Sequence, residues 1–290
     1  MERRYSVFGL SRVTLRPFEA MSSYEDNAFD RLCIGLFSRK LAEEAGPEAV
    51  RALEDGTHGG GPGSFEGFAG SARAVLVRYR SQAELARAIR RVLNTICPPW
   101  FSAWMRAAFK PTRLVCEASA LMTGPMFSWL VGPIEVFQHR AQDTVEARRA
   151  AVEEEEEEEE DAETRAEAEV PLIWSGLQIQ KCRYLEVSGC SAQCINLCKR
   201  PTQEFFRDEF GLPVYLKPNF EDGSCQLIFG QLPPPDELDP ALSQGCLARC
   251  PQGTNFDPVA AAAATAAAAA PAPALAPGGP KCHKIDWGDR

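Results

Sequence analysis

The sequence predicts an α+β protein, in which a helical N-terminal half packs with a small cysteine-rich α+β unit. Apolar residues recur at helical spacing in residues 22–145, and short β-rich runs separated by turns follow in residues 171–250. Seven of the 11 cysteines lie in that second region. Residues 146–170 and 251–290 have the composition of a disordered acidic linker and a low-complexity Ala/Pro tail, so they are assigned to neither half.

Helices dominate the predicted N-terminal half. Apolar spacing over residues 24–45 predicts one helix, residues 71–96 predict one or two more, and residues 100–108 predict a short amphipathic helix. Residues 1–21 are rich in Arg, Ser and Thr and are predicted as a possible organelle leader.

The most apolar part of the chain is residues 114–137. Glu117 and two Gly-Pro pairs, at residues 124–125 and 132–133, interrupt it, which leaves no run of the ~20 residues that a membrane span requires. We therefore predict a buried helix pair here, with a membrane-surface or substrate-binding groove as the alternative.

Charge is concentrated in the acidic linker. Residues 153–169 carry a net charge of −11, which leaves +2 for the rest of a chain whose total is −9. A nearly neutral remainder indicates neither a nucleic-acid-binding surface nor a funnel for acidic substrates.

Histidine is scarce. His58 lies in a glycine-rich loop and His283 in the tail, which leaves His139 as the histidine in a region predicted to be ordered. A Ser-His-Asp hydrolase or a multi-histidine metal site would need His139 as its centre, so both are disfavoured. We predict that His139 lies at a helix surface or helix end.

The cysteine-rich unit is predicted to mix strands and helices. Alternation predicts strands over residues 177–181, 213–217 and 225–229, and the last two are joined by a six-residue hairpin loop. Residues 188–210 predict two short helices that are separated at Pro201.

Three cysteines of this unit, Cys190, Cys194 and Cys198, have the i, i+4, i+8 spacing of one helix face. Neighbouring Cβ atoms on such a face are ~5–6 Å apart, which is too far for disulfides between them but compatible with converging metal ligands. The remaining thiolates of such a site could come from the other cysteines of the unit, Cys182, Cys225, Cys246 and Cys250. Sulfur ligands without histidine indicate iron–sulfur or zinc, while disulfides and packed free thiols remain alternatives.

The residues around the cysteines resemble a known family. The resemblance is carried by Lys181-Cys182-Arg183-Tyr184-Leu185-Glu186, Ser188-Gly189-Cys190, Cys194, Cys198-Lys199, Pro201-Thr202-Gln203, Pro218-Asn219-Phe220-Glu221-Asp222 and Trp129-Leu130-Val131-Gly132-Pro133. This pattern resembles the plastid β-carotene isomerase family of strigolactone biosynthesis, called Dwarf-twenty-seven-like, over residues 22–145 and 170–250. The glutamate insertion and the Ala/Pro tail depart from it.

The resemblance implies an iron-containing chloroplast enzyme that converts all-trans-β-carotene to its 9-cis isomer. It implies a lipophilic carotenoid substrate, possible peripheral contact with plastid membranes and no nucleic-acid partner. The iron, mononuclear or in an iron–sulfur cluster, would take ligands from Cys182, Cys190, Cys194, Cys198 and Cys225. The alternative is a non-catalytic cysteine-rich iron- or zinc-binding or redox module of the plastid. An apolar tunnel about as long as a carotenoid, opening beside the cysteines, would favour the enzyme, and a closed knot of cysteines away from any cavity would favour the module.

Isomerising a polyene requires the order of one double bond to fall transiently. Electron transfer from a metal cluster, reversible addition of a thiolate, or protonation to a delocalised cation could each achieve this. Histidine scarcity disfavours a histidine acid, and Cys190 at a helix N-terminus is a candidate for thiolate addition.

Overall fold

The computed structural model of the protein describes residues 3–7, 11–15, 21–140 (without 80, 96 and 109), 172–244 and 247. The predicted acidic linker and Ala/Pro tail lie outside these residues, as do Cys246 and Cys250. Within the predicted leader, strand β1 (Arg3–Val7) pairs antiparallel with β2 (Ser11–Leu15), which pairs antiparallel with β3 (Ser23–Glu25).

Helices build the rest of the N-terminal half. They are α1 (Ala28–Ala45), α2 (Pro47–Glu54), α3 (Phe65–Arg78), α4 (Gln82–Leu93), α5 (Pro99–Ala108) and α6 (Arg113–Val131). The helix predicted over residues 24–45 begins at Ala28, because Asn27 caps it. The Asn27 side chain accepts hydrogen bonds from the backbone N–H groups of Phe29 and Asp30, and the Asp30 carboxylate accepts one from the Asn27 N–H. The helices predicted within residues 71–96 and 100–108 are confirmed as α3, α4 and α5.

Helix α6 corrects the prediction for residues 114–137. Pro125 does not interrupt the helix, which continues to Val131 and contains this proline. By length and composition α6 is long and apolar enough to cross a membrane. The predicted buried helix pair is also wrong, because strand β4 (Ile134–Arg140) follows α6 and a complete face of α6 is exposed.

A four-stranded antiparallel sheet has the order β4-β5-β7-β6, with β5 at Leu172–Ile179, β6 at Val214–Pro218 and β7 at Cys225–Phe229. The three predicted strands and the hairpin of the cysteine-rich unit are thereby confirmed. Strand β4 was not predicted, and His139 lies on it rather than at a helix end. Because β4 pairs with β5, from Ile134 opposite Ile179 to Arg140 opposite Leu172, the sheet joins the two halves of the chain across the glutamate insertion.

The cysteine-rich unit also contains two helical segments. Helix α7 (Arg183–Ser188) ends at Gly189, whose left-handed backbone (φ 56°) favours glycine. Helix α8, residues 191–210, alternates α-helical turns (Ser191–Gln193 and Arg200–Phe205) with π-helical turns (Cys194–Lys199 and Phe206–Phe210). The predicted break at Pro201 is wrong. Its ring follows a π-helical turn, whose i→i+5 hydrogen bonds differ from the i→i+4 ladder that proline disrupts.

A buried ionic contact ties the beginning of the helical half to α7. The Arg183 guanidinium forms two hydrogen bonds with the Asp26 carboxylate, at 2.6 and 2.8 Å, and lies 4.5 Å from the ring centroid of Tyr24 and 4.0 Å from that of Phe65. The Tyr24 hydroxyl donates to Glu186, which also pairs with Lys181 at 2.7 Å. These contacts fix the helical half against the cysteine-rich unit.

Candidate functional site

An apolar cavity of about 340 Å³ lies between the helical half and the cysteine-rich unit. Its volume falls within the range of about 300–1,000 Å³ that is typical of small-molecule sites. Helices α1, α3, α4, α5 and α6 form one side, and α7, α8 and the four-stranded sheet form the other. Most of the lining side chains are aliphatic or aromatic, so the cavity suits an apolar ligand.

Aromatic rings give the cavity defined walls on both sides. Within α8, the ring centroids of Phe206 and Phe210 are 5.2 Å apart, and Phe206 also contacts Phe229 of β7 at 5.6 Å. On the helical side, Phe68 of α3 contacts Tyr184 of α7 at 5.6 Å. Rings at these separations hold one another in place, so the cavity shape is set by packed rather than freely rotating side chains.

Four of the predicted site cysteines line one side of this cavity: Cys182, Cys194, Cys198 and Cys225. Cys182 is the residue before α7, where its backbone N–H donates to the carbonyl of Gly223 at 2.7 Å. Cys194 and Cys198 are on the first π-helical turn of α8, and Cys225 begins β7. All four are free thiols, and Cys97 lines the cavity from the helical half.

Burial keeps these thiols protonated. Loss of hydration raises the pKa of Cys182 to about 11 and that of Cys198 to about 12, and it raises the pKa of Cys194 and Cys225 well above the usual thiol value. Repulsion between the thiolate forms adds to this effect, while the ammonium of Lys199 lowers the pKa of Cys194, Cys198 and Cys225. At neutral pH the cavity wall therefore presents S–H groups.

Cys190 does not share the cavity wall with Cys194 and Cys198. Cys190 precedes α8 in an extended conformation (φ −138°, ψ 112°), and its carbonyl accepts a hydrogen bond from the backbone N–H of Cys194. Burial raises the pKa of the Tyr184 hydroxyl and all three cysteines raise it further, so they lie around one side chain although Cys190 is not part of the cavity wall. That the three thiols share one helix face stays a prediction.

The thiols do not form a metal site in this arrangement. Among the residues that the structure describes, no group of three or more histidine, cysteine, aspartate or glutamate side chains could hold a metal ion. Sulfur is a suitable donor for iron or zinc, but ligation needs thiolates that converge on one point. In the described arrangement the cavity cysteines do not converge in such a group, so the present geometry does not fit the implied iron.

Lys199 is a cavity residue that the sequence analysis did not identify. Its ammonium forms an ion pair with Asp239 at 2.7 Å, donates to the backbone carbonyl of Leu216 and lies 4.6 Å from the ring centroid of Tyr215. The lysine is visible in the Cys198-Lys199 motif, but its burial depends on a carboxylate that lies far along the chain. It places one paired positive charge beside the thiols.

His139 is not a cavity residue. Its Nε2 atom lies 2.7 Å from the Ser175 hydroxyl, which in turn donates to the carbonyl of Phe229. These contacts connect β4, β5 and β7, so His139 has a structural role in the sheet.

Comparisons with known proteins identify similar sequences. Residues 129–238 match the family model described as Beta-carotene isomerase D27-like, C-terminal. The chain is 31% identical over 241 residues to the chloroplastic Beta-carotene isomerase D27 of Medicago truncatula, an alignment that covers 83% of this chain and 79% of that protein. It is 28% identical over 235 residues to the Arabidopsis thaliana protein of the same name, covering 81% and 75%. No solved structure matches the chain.

Proposed function

The chain belongs to the β-carotene isomerase D27-like family, and from that premise we propose that it is a plastid enzyme that isomerises a double bond of a carotenoid. The thiol-lined apolar cavity supports this function best. A non-catalytic cysteine module would need its thiols in a closed knot, whereas these thiols face a space large enough for a ligand. Both relatives are named chloroplastic, which supports the plastid as the compartment.

The cavity binds the polyene through shape and dispersion. A hydrocarbon offers no hydrogen-bonding group, so its affinity comes from the apolar area that it buries, at roughly 25 cal/mol per Å². The packed rings of Phe68, Phe206 and Phe229 limit the paths that the polyene can take. We assign all-trans-β-carotene as the substrate and the 9-cis isomer as the product on the family resemblance.

The reacting group is one of the cavity thiols, acting by reversible addition. The thiol adds across one double bond, so that the S–H bond and the π bond break while one S–C bond and one C–H bond form, which leaves a carbon–carbon single bond. Rotation about that single bond and elimination of the same thiol restore the polyene in the other geometry. Atoms and electrons balance without a co-reactant, and the protonated state of the buried thiols supplies the hydrogen.

Single Cys→Ala substitutions test this assignment. At the reacting position, turnover of β-carotene in detergent micelles should fall more than about tenfold, which corresponds to about 1.4 kcal/mol of barrier. Cys116→Ala is the matched control, because Cys116 is equally buried but does not line the cavity. Full turnover in the Cys97, Cys182, Cys194, Cys198 and Cys225 variants would refute the thiol mechanism.

Iron is a separate proposal, which rests on the family resemblance. Its ligands would be drawn from the predicted set, Cys182, Cys190, Cys194, Cys198 and Cys225. Because the described arrangement does not fit a metal ion, iron binding would require these thiols to deprotonate and to move together. Metal analysis of anaerobically purified protein is the test. Single Cys→Ser variants should lower bound iron and turnover in parallel, and iron-free protein with full turnover would contradict the proposal.

A further inference from the structure

Helix α6 has an outer face that is apolar along its length. After Arg113, the exposed residues of α6 follow helical spacing and form one stripe. The stripe is made of Leu114, Ala118, Leu121, Met122, Pro125 and Met126. Leu114 and Leu121 are 76% and 69% exposed. The opposite face packs on the protein through Cys116 and Ala120, and Trp129 is buried in the last turn of the helix. A surface helix of a water-soluble domain normally turns polar residues outward, so this amphipathicity is reversed.

Helix α5 has the same feature. Its exposed positions include Trp100, Ala103, Trp104 and Ala107, and the two tryptophans are 71% and 55% exposed. Helix α4 provides the contrast within the same half of the chain, because its exposed residues include Glu84, Arg87 and Arg91. The apolar outer faces are therefore a property of α5 and α6 rather than of every helix in this half.

The apolar surface continues onto the sheet beside α6. The backbone N–H of Trp174, on β5, donates to the Glu117 carboxylate of α6 at 3.1 Å, and the Trp174 side chain is 50% exposed. Exposed leucine and tryptophan side chains on α6 and on the strand that contacts it indicate a site of interaction rather than ordinary surface composition.

This surface also adjoins the cavity. Met122 and Met126 line the cavity and are themselves 61% and 43% exposed, so the cavity reaches the protein surface through the outer stripe of α6. Phe101 and Met105 of α5 line it as well. A ligand that enters beside α6 would therefore pass directly into the cavity from the partner that covers this stripe.

The charges of the two helices favour an anionic partner. Residues 99–131 contain three basic side chains, Arg106, Lys110 and Arg113, and one acidic side chain, Glu117. The Glu117 carboxylate pairs with Arg113 at 3.0 Å, which leaves Arg106 and Lys110 as a net charge of +2 for the two helices. Exposed tryptophans, an apolar stripe and flanking basic residues together are typical of helices that lie in the interface of a membrane.

We infer that α5 and α6 dock the protein on an anionic lipid bilayer, with the cavity facing the lipid, so that the carotenoid passes between membrane and cavity without crossing water. This inference rests on the proposed function for the identity of the substrate. Docking is interfacial rather than transmembrane, because one face of α6 is packed against the sheet and its core.

Vesicle co-sedimentation of the full chain, without carotenoid, tests the docking. The probes are vesicles of phosphatidylcholine alone and of phosphatidylcholine mixed with phosphatidylglycerol in equal amounts. The wild-type protein should bind the mixed vesicles more tightly, and added salt should weaken that binding. Absence of binding to both vesicle types would overturn the inference.

Leu121→Glu places a charge at the centre of the stripe without changing a residue that lines the cavity. It should weaken vesicle binding at least about tenfold, or about 1.4 kcal/mol, while turnover in detergent micelles is retained. Leu238→Glu is the matched control, since Leu238 is 72% exposed on the 3₁₀ turn Asp236–Leu238, and its binding should stay within about twofold of wild type. Equal losses in both variants would overturn the inference, and Trp100→Glu replaces Leu121→Glu if that variant does not fold.

Two further outcomes separate the inference from its alternatives. If the wild type is a dimer that Leu121→Glu converts to a monomer and neither protein binds vesicles, a second copy covers the stripe and the bilayer is excluded. If the wild type binds vesicles but does not isomerise β-carotene in micelles, the proposed function fails while the docking surface stands.

Discussion

Replacing Asp239 by asparagine would remove one charge from a buried ion pair at the cavity wall. The Lys199 Nζ and Asp239 Oδ2 atoms are 2.7 Å apart, and their side chains are 1% and 4% exposed. The asparagine keeps the size of the side chain and can still accept the hydrogen bond that Asp239 receives from the backbone N–H of Ala241. The change therefore isolates the loss of the negative charge beside a lysine that water cannot reach.

Breaking a buried ion pair by removing one partner costs about 3–5 kcal/mol, because the remaining charge is left uncompensated. Lys199 keeps its hydrogen bonds to the Leu216 carbonyl and the Gln203 side chain, and it keeps the ring of Tyr215. We therefore expect the lower end, a loss of about 3 kcal/mol in the free energy of unfolding. For a folded region of this size, that loss lowers the melting temperature by about 6–12 °C.

Urea unfolding of two asparagine variants measures this loss against a matched control. Asp236→Asn also breaks an ion pair, with Arg200, but Asp236 is 67% exposed and exposed pairs contribute about 0–1 kcal/mol. The double variant Lys199→Met with Asp239→Leu should recover most of the stability, because apolar replacement of a buried pair is often neutral. If Asp239→Asn and Asp236→Asn unfold at the same urea concentration, the charge of Lys199 does not depend on Asp239 for its stabilisation, and the expected loss is wrong.

The remaining expectations concern the thiols, the acidic linker and the compartment. Burial raises the pKa of Cys182 to about 11 and of Cys198 to about 12. A disulfide reagent at about pH 8 should therefore label these thiols far more slowly in the native protein than in urea, and the native labelling rate should increase with pH. Fast labelling of the native protein, measured by mass spectrometry, would contradict this expectation. Deleting residues 153–161 should leave the melting temperature unchanged, since eight consecutive glutamates bury no apolar surface, and a clear decrease would show that the tract packs on the fold. A fluorescent fusion of the full chain should accumulate in plastids, and cytosolic signal from it and from a fusion to residues 1–60 would count against plastid targeting.

Local patterns predicted the elements whose signals are contained in a short stretch of sequence. The hairpin of β6 and β7 has alternating strands and a six-residue loop, and the end of α1 has Gly46 followed by proline. Strand β4 had no such signal. It is identified by its pairing with β5, which follows the glutamate insertion, so a local interpretation of His139 assigned it to a helix.

The candidate site was predicted in part for the same reason. The concentration of cysteines indicated the region that contains the candidate site, and four of the five predicted residues line one cavity there. Cys190, which the spacing grouped with Cys194 and Cys198, precedes α8 and is not part of the cavity wall, and spacing alone does not reveal which thiols a cavity exposes. The role of Lys199 could not be predicted without the tertiary structure. Its buried charge is compensated by Asp239, which precedes the 3₁₀ helix Pro240–Ser243.

The proposed polyene substrate would explain why the apolar cavity and the exposed apolar helices occur in one structure. A substrate without polar groups is not selected by hydrogen bonds, so selectivity for one double bond would come from how far the polyene enters the cavity and where it bends. In the proposed function, packed rings such as Phe206 and Phe229 would set the depth, and Met122 and Met126 on α6 would set the entrance. Because those two methionines belong to both the cavity and the outer stripe, the position of the protein on a membrane would also fix the direction in which the polyene enters. The bond that reaches the thiols would then be determined by the distance from the lipid surface to the cavity wall, and a change in either helix would alter the site of isomerisation as well as its rate.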